Sequence, residues 1–257
     1  MKLIKADYPY CDKAYDMLVG FNDTVIFSIF ENITGELWVD DEKNPEIALG
    51  IYKDFCFLSG KPRKVENLDS VLFSKCDKPV LIANTNEWLD FLPENTQFSK
   101  TSRFKLKAPE SFDTKALEKV CQKIEGFPEL EMRIMNGEDY LSYNPDGWEH
   151  NMRGCYKNKE DFCEKSFGII IHDKKEIICG CSAYSYYSDG VEVQIETKKE
   201  YRGKGLASIA AAKYMLLCQQ RGKKAHWDAA HIQSAKMAMK LGFEMVGEYI
   251  AYELEKR

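Results

Sequence analysis

Two glycines one residue apart, Gly203 and Gly205, lie in the segment Glu-Tyr-Arg-Gly-Lys-Gly-Leu-Ala at residues 200–207, between a predicted strand and a predicted helix. Glycine allows a tight backbone turn that points several N–H groups into one space. Those donors and the positive end of the helix dipole suit a pyrophosphate. Arg202 and Lys204 add positive charge beside it. The segment therefore predicts a phosphate-binding loop.

Other interpretations of the two glycines compete with this one. They can simply serve the turn at a helix start. A Walker loop is excluded, because its four-residue gap and its Gly-Lys-Ser/Thr ending are missing. A dinucleotide fingerprint matches Gly203-x-Gly205-x-x-Ser208, with Asp228 in place of the ribose-binding acid. However, five residues separate the strand from Gly203, whereas this fingerprint needs a tight turn there. Only 29 residues follow Asp228, which is too few to build a doubly wound sheet.

The elements that must position this loop follow a seam near Gly126 and Pro128. An almost wholly apolar or small-residue segment, 205–220, predicts a helix buried on most of its surface. The pair Asp189-Gly190 predicts a hairpin turn. The other predicted elements after the seam are strands at 130–135, 167–171, 177–187, 191–197, 225–228 and 245–254, and helices at 159–165 and 234–241. An antiparallel meander followed by strand–helix–strand–helix–strand predicts an α/β (α+β) sandwich.

The chain before the seam has a mixed pattern. It predicts strands at 24–30, 47–58 and 103–107, a short helix around Trp88 and Leu92 capped by Thr85, and a helix over 113–124 capped by Asp113. No nucleophile, metal or phosphate signature appears there. We therefore expect two domains, a smaller N-terminal α/β lobe of unknown role at 1–126 and a domain carrying the loop at 127–257.

The loop resembles that of the GNAT superfamily, the GCN5-related N-acetyltransferases. Their acetyl-CoA loop has Gln or Arg, two variable residues, Gly, one variable residue, and Gly or Ala. Gly203 and Gly205 match, and Glu200 departs from the first position. The resemblance continues to the C-terminus through the segments 227–234 and Lys-Leu-Gly-Phe at 240–243, although His231 replaces the usual Asn. Over its whole length the chain is also similar to a bacterial group of this superfamily with an extra N-terminal half.

The resemblance implies a mixed sheet flanked by helices in the C-terminal domain, with acetyl-CoA as co-substrate and no metal. Main-chain groups near Ile195 and Thr197, in the splayed central strand 191–197, would hold the pantetheine and polarise the thioester carbonyl. His231 and Ser234 are candidates for the far side of CoA. The residues expected around the pyrophosphate are Tyr201, Arg202, Gly203, Lys204, Gly205, Leu206 and Ala207.

The group that removes a proton from the amine is expected on strand 191–197. Glu192, Gln194 and Glu196 alternate with apolar residues, so they share one face of the strand. Glu192 lies nearer the position of a basic carboxylate in the superfamily, and Glu196 is the second candidate. The alternative is that these three side chains only face solvent or the N-terminal lobe.

The acid that protonates the departing thiolate is a Tyr of the last helix in many relatives, and that position is Ala238 here. Tyr252 or Tyr249 of the final strand, or solvent, is left for this role. Three tyrosines of one strand are candidates for the acceptor cavity as well as for packing. The acceptor candidates are Tyr184, Tyr186, Tyr187, Trp148 and Glu149.

Composition limits the partners. The net charge of −5 gives no general attraction to nucleic acid or to an anionic membrane. No apolar run approaches a membrane span and the N-terminus lacks a signal peptide, so a cytoplasmic location is expected. Nine cysteines, an odd number without zinc-knuckle spacing, are expected to be reduced thiols. A homodimer is one alternative for the oligomeric state.

These observations lead to one functional hypothesis and two alternatives. We expect an N-acetyltransferase that moves an acetyl group from acetyl-CoA to a primary amine of a small-molecule acceptor, by direct attack in a ternary complex. The first alternative is a catalytically silent acyl-CoA-binding protein, suggested by Glu200, His231 and Ala238. The second is a protein whose N-terminal half binds partners and carries the main role.

Overall fold

The computed structural model describes residues 1–142, 147–148, 150–154, 156–174 and 176–256. Its α-helices are α1 (Asp12–Leu18), α2 (Thr24–Phe30), α3 (Leu68–Leu72), α4 (Thr114–Cys121), α5 (Gly137–Ser142), α6 (Lys159–Lys165), α7 (Leu206–Gln220) and α8 (Ile232–Lys240). Short 3-10 helices cover Val19–Phe21, Asn86–Phe91, Gln122–Gly126, His150–Arg153 and Lys199–Tyr201. The strands are β1 (Ile4–Lys5), β2 (Glu36–Val39), β3 (Ile47–Tyr52), β4 (Phe55–Gly60), β5 (Val80–Ala83), β6 (Thr96–Lys107), β7 (Leu130–Ile134), β8 (Ile169–Asp173), β9 (Glu176–Tyr187), β10 (Gly190–Thr197), β11 (Lys224–Ala229) and β12 (Glu244–Lys256).

The chain forms two compact units. The first unit comprises Met1–Arg103 and Glu248–Arg257, and the second comprises Phe104–Gly247. The units therefore divide the chain at other positions than the seam at 126/127. Helix α4 belongs to the second unit because Leu117 is buried in that unit's core. Gln219 of α7 also holds the segment before α4, accepting a hydrogen bond from the Phe112 N–H at 2.8 Å.

The second unit contains a mixed sheet flanked by helices. The part of β6 in this unit pairs antiparallel with β11, and β11 pairs parallel with β10. Strands β10, β9, β8 and β7 then follow as an antiparallel meander. This is the α/β arrangement that the sequence predicts, with the two-residue turn Ser188–Asp189 between β9 and β10.

Helix α7 forms the centre of this unit's core, as the run of small and apolar residues predicts. It packs against β8, β9, β10 and β11 and also against α4. Small side chains such as Ala210, Ala211 and Ala212 are wholly buried, which allows close approach to the sheet. The helix that carries the glycine loop at its N-terminus is therefore held rigidly against the strand that precedes it.

The first unit is an α/β lobe. Strands β1, β2, β3 and β4 pair antiparallel in sequence order, β4 pairs parallel with β5, and β5 pairs with the end of β12 through Tyr252 and Leu81. Helices α1 and α2 pack on this sheet. Trp88 and Tyr252 are among the largest fully buried side chains of the lobe.

Two predicted elements of the first unit are wrong. Residues 47–58, predicted as a strand, form the two strands β3 and β4, because the chain turns at Lys53, whose φ is positive. Residues Thr24–Phe30 form helix α2 and not a strand. The β-branched residues suggested a strand, but Asp23 caps a helix by accepting a hydrogen bond from the Val25 N–H at 2.8 Å. Val25, Ile26 and Ile29 are buried on one face of that helix, so burial and the N-cap outweigh the intrinsic strand preference.

Within the described residues, no helix is both long enough and apolar enough to cross a membrane. The same residues contain no group of three or more His, Cys, Asp or Glu side chains that could hold a metal ion.

Candidate functional site

The central feature of the second unit is a fork between the parallel strands β10 and β11. They pair from Gly190 opposite Lys224 to Glu192 opposite His226, and no further rung follows in the described residues. Strand β10 nevertheless continues to Thr197 and β11 to Ala229. The two strands therefore separate beyond Glu192 and leave an open wedge lined by main-chain groups.

Glu192 stands at the base of this fork. Its Oε1 atom accepts a hydrogen bond from the Asp228 N–H of β11 at 2.8 Å. Glu192 is half-buried. A carboxylate is thus fixed at the point where the strands part, in reach of whatever occupies the wedge.

The glycine loop lies between the end of β10 and α7. Gly203 and Gly205 have positive φ angles of 76° and 84°, which is the left-handed region that other residues adopt at a cost. A Cβ atom at either glycine would meet no atom within 4 Å. The loop therefore needs glycine for its backbone shape, and the space in front of it is open.

Helix α7 begins without a protein cap. Its N-cap residue, Gly205, has no side chain, and its first turn carries no acidic residue. Asp113 and Asn158, in contrast, cap α4 and α6 with their side chains. The positive end of the α7 dipole therefore has neither a side-chain cap nor an acidic residue in its first turn.

Consecutive main-chain donors line this open space. The N–H groups of Tyr201 and Arg202 already donate to the carbonyls of Lys198 and Lys199. The expected pyrophosphate donors therefore start later than the sequence suggested. The N–H groups that have no protein acceptor within the described part of the chain are those of Gly203, Lys204, Gly205, Leu206, Ala207 and Ser208.

Side chains fix the loop to the sheet. Arg202 Nε donates to the Thr197 carbonyl at 2.9 Å, and the Tyr201 hydroxyl donates to Asp173 Oδ2 at 2.6 Å. That hydrogen bond is the main reason why the pKa of Tyr201 is raised to about 12. Lys204 Nζ lies 4.8 Å from the centre of the Tyr201 ring. Two positive charges are thus held beside the free amides.

The expected pantetheine contacts lie on the open edge of β10. Ile195 is half-buried and packs against the core of the unit. The Thr197 hydroxyl lies 3.2 Å from Cys179 Sγ, and burial raises the pKa of that thiol to about 11. The side chain of Thr197 is thus engaged with β9.

The other expected residues occupy different surroundings. Glu196 accepts a hydrogen bond from Gln194 Nε2 at 2.9 Å. His231 is exposed at the N-cap of α8, and its side chain makes no capping hydrogen bond. Ser234 Oγ accepts from Trp227 Nε1 at 3.1 Å. The Ser234 hydroxyl is thus engaged with the side chain of Trp227 on β11.

The tyrosine considered as an acid is a core residue of the first unit. Tyr252 is 2 % exposed, and its hydroxyl donates to Asn86 Oδ1 at 2.8 Å. Its ring contacts Phe98 edge to face, with 5.6 Å between ring centres. Ala238 is wholly buried in the core of the second unit. A packing role accounts for the surroundings of both residues.

Two of the residues expected near an acceptor pack inside the second unit. Tyr184 is buried, and Tyr186 stacks on Tyr156 with ring centres 5.3 Å apart. Trp148 is half-buried, and Glu149 lies outside the described residues.

Sequence reasoning missed one residue of the fork, His226. It is the register partner of Glu192, and its Nε2 atom lies 3.0 Å from the hydroxyl oxygen of Tyr187. Burial, followed by the charges of Lys105 and Lys224, lowers the pKa of His226 to about 4. Only the register of β10 on β11 brings His226 beside Glu192, and no local pattern reveals that register.

Comparisons with known proteins agree with this geometry. Residues 16–252 match the family model for GNAT acetyltransferases. The chain is 23% identical over 243 residues to the uncharacterized N-acetyltransferase YdfB of Bacillus subtilis (strain 168), and the alignment covers 89% of each protein. It is also similar to the crystal structure of a GCN5-related N-acetyltransferase-like protein from Streptococcus suis 89/1591. The TM-score is 0.84 and the identity 28%, with 95% of this chain and 99% of that chain covered.

A more distant structure shares the fold alone. The GNAT-family acetyltransferase from Colwellia psychrerythraea has a TM-score of 0.51 at 10% identity, with both chains fully covered. The family-model match spans nearly the whole chain, including both the fork and the glycine loop. The chain belongs to the GNAT acetyltransferase family.

Proposed function

We propose that the protein is an acetyl-CoA-dependent N-acetyltransferase that transfers the acetyl group to a primary amine by direct attack in a ternary complex. One observation carries the proposal. Six consecutive N–H groups, from Gly203 to Ser208, have no protein acceptor within the described residues and lie at the uncapped N-terminus of α7. This arrangement suits a pyrophosphate.

The loop and the fork divide the binding of acetyl-CoA between them. The free amides, together with Arg202 and Lys204, take the pyrophosphate. The pantetheine arm lies in the wedge between β10 and β11, where main-chain groups lack a strand partner. His231 and Ser234 at the start of α8 are proposed for the far side of CoA.

The chemical step takes place at the base of the fork. Glu192 removes a proton from the bound ammonium group, directly or through a water molecule. The amine nitrogen then bonds to the acetyl carbon and releases its second proton to solvent, the carbon–sulfur bond breaks, and the CoA thiolate takes a proton from solvent. Donors near Ile195 and Thr197 stabilise the negative charge that develops on the carbonyl oxygen. Glu196 is the second candidate for the base.

A catalytically silent acyl-CoA-binding protein is the second candidate function. Ala238, which is wholly buried, occupies the place where the resemblance implies an acidic tyrosine, and this observation favours it. Binding of acetyl-CoA without turnover of any amine would support this candidate and reject the enzyme.

Calorimetric titration with acetyl-CoA tests the binding proposal. Gly203→Val places a side chain in the open space before the loop, so we expect binding to be lost. Gly222→Val is the matched control at the other end of α7, since Gly222 also has a positive φ of 64° and open space around its Cβ position. Both variants carry the same kind of backbone strain, and circular dichroism checks that both fold.

The outcomes of this titration are clear. Binding by the wild type and by Gly222→Val, with none by Gly203→Val, supports the loop as the pyrophosphate site. A well-folded wild type that does not bind acetyl-CoA refutes the proposal. Turnover is then measured with a panel of primary amines, namely spermidine, L-lysine, tyramine and kanamycin.

A further inference from the structure

Tyr187 and His226 form a pair that the chemistry above does not use. Tyr187 ends β9 and His226 lies on β11, so the Tyr187 side chain crosses the intervening strand β10 to reach the histidine. The hydroxyl oxygen lies 3.0 Å from His226 Nε2. The rings meet edge to face, with 5.6 Å between their centres.

A glycine in β10 makes this crossing possible. A Cβ atom at Gly190 would lie 2.7 Å from Tyr187 Cε1, 2.8 Å from the Lys224 carbonyl oxygen of β11 and 3.1 Å from His226 Cδ2. The φ angle of Gly190 is not in the left-handed region, so the backbone conformation does not require glycine. The residue provides the space through which Tyr187 reaches His226.

The pair lies at the closed side of the fork. His226 is the register partner of Glu192 at the last rung before β10 and β11 separate. Between Gly190 and Glu192 the strands are hydrogen-bonded to each other, so an extended pantetheine arm cannot pass between them there. The Tyr187–His226 pair lies beside this hydrogen-bonded part of the two strands and so outside the path of the pantetheine arm. Tyr187 is half-buried. This position suits the second substrate.

The charged groups around His226 are two lysines and two carboxylates, so their signs balance. Tyr187 faces it from β9, Glu192 from β10 and Lys105 from β6, and Lys224 and Asp228 flank it on its own strand. Burial lowers the pKa of His226 to about 4, so its ring is neutral near pH 7. An ammonium group approaching the Glu192 carboxylate therefore meets no imidazolium charge.

We propose that Tyr187 and His226 form the acceptor subsite, in which the Tyr187 hydroxyl accepts a hydrogen bond from the acceptor amine beside Glu192 and His226 positions that hydroxyl. A phenolic oxygen has two lone pairs, so it can accept a hydrogen bond from an amine N–H in addition to its contact with His226. The inference rests on the proposed N-acetyltransferase function, and it assigns Tyr187 to acceptor binding and not to CoA binding.

Steady-state acetylation of the best substrate among spermidine, L-lysine, tyramine and kanamycin tests this subsite. Tyr187→Phe removes one hydrogen bond, so kcat/KM for the amine is expected to fall about tenfold, mainly through KM, with the Kd for acetyl-CoA unchanged. Gly190→Ala presses on the Lys224 carbonyl as well as on the pair, so it is expected to raise the KM for the amine and also to lower the free energy of unfolding. Gly126→Ala is its control, because a Cβ atom there meets no atom within 4 Å.

Variants of His226 separate positioning from general destabilisation. Gln keeps a polar nitrogen that can bond to Tyr187, whereas Leu does not. We therefore expect His226→Gln to retain most of the affinity for the amine and His226→Leu to resemble Tyr187→Phe. A merely structural role would move the KM for the amine and the Kd for acetyl-CoA together.

The outcomes distinguish this inference from the function on which it rests. An unchanged amine KM in Tyr187→Phe, or a weakened Kd for acetyl-CoA, overturns the subsite while turnover by the wild type still supports the enzyme. A wild type that binds acetyl-CoA but acetylates none of the four amines refutes both.

Discussion

Replacing Glu192 by Gln gives the sharpest test of the proposed chemistry. The Glu192 Oε1 atom accepts a hydrogen bond from the Asp228 N–H at 2.8 Å. The amide oxygen of Gln has the same reach, so the fork keeps this contact while the base is lost. Loss of a general base typically lowers kcat by about 10²–10⁴-fold, which corresponds to about 3–5 kcal/mol in the activation free energy.

The Ala variant at the same position separates catalysis from architecture. Glu192→Ala removes the base and also leaves the half-buried Asp228 N–H without this acceptor. The free energy of unfolding should therefore fall by about 1 kcal/mol relative to Glu192→Gln. Urea unfolding measures this difference, and calorimetry with acetyl-CoA shows whether the wedge still binds its substrate.

The assay is kcat for the best amine as a function of pH. With Glu192 as the base, both variants lose turnover, and only the Ala variant loses stability. Retention of kcat within about threefold by Glu192→Gln would reject Glu192 as the base. A loss in Glu196→Gln alone would transfer the role to Glu196, whose carboxylate is bound to Gln194.

Two further predictions concern charge. The pKa of His226 is lowered from 6.5 to about 4 by folding. Between pH 6.5 and pH 4 the unfolded chain therefore binds a proton that the folded chain does not. The free energy of unfolding should fall by up to about 3 kcal/mol as the pH drops through this range. His226→Gln should flatten this part of the curve of unfolding free energy against pH, and an unchanged curve would contradict a neutral buried histidine. Arg202→Ala removes an exposed charge and its bond to the Thr197 carbonyl, so the Kd for acetyl-CoA should rise about five- to tenfold at low salt and less at 1 M salt, where charges are screened. Lys199→Ala, at an exposed position, is the control, and an equal loss in both variants would argue against a specific role of Arg202.

The residues that could be predicted from sequence are those whose role depends on local backbone geometry. Gly203 and Gly205 predict a turn at a helix start, and the composition of α7 predicts a buried helix. The alternation in β10 places Glu192 and Glu196 on one face. In contrast, the sequence does not reveal that the N–H groups of Tyr201 and Arg202 donate within their own 3-10 turn. The series of N–H groups expected for the pyrophosphate therefore begins at Gly203 and not at Tyr201.

Features that depend on pairing between distant segments could not be predicted. The point where β10 and β11 separate is set by tertiary packing and has no signature in either strand. The meeting of Tyr187 with His226 requires the register of three strands and the gap at Gly190. Helix α2 is a second example, since its β-branched residues favour a strand and only the burial of one helical face outweighs that preference.

The fork links architecture to the proposed chemistry through a single main-chain donor. Asp228 follows the last rung of the β10–β11 ladder by two residues, and its N–H donates to the carboxylate of Glu192 instead of a β10 carbonyl. A side chain of β10 thus satisfies the donor that would otherwise be left without a partner where the strands part. Because the same carboxylate faces the wedge, the residue that binds this donor is also the proposed base. The main-chain contact at the opening and the proposed base thus involve one residue, and this is why the Gln and Ala variants of Glu192 should differ in stability but not in turnover.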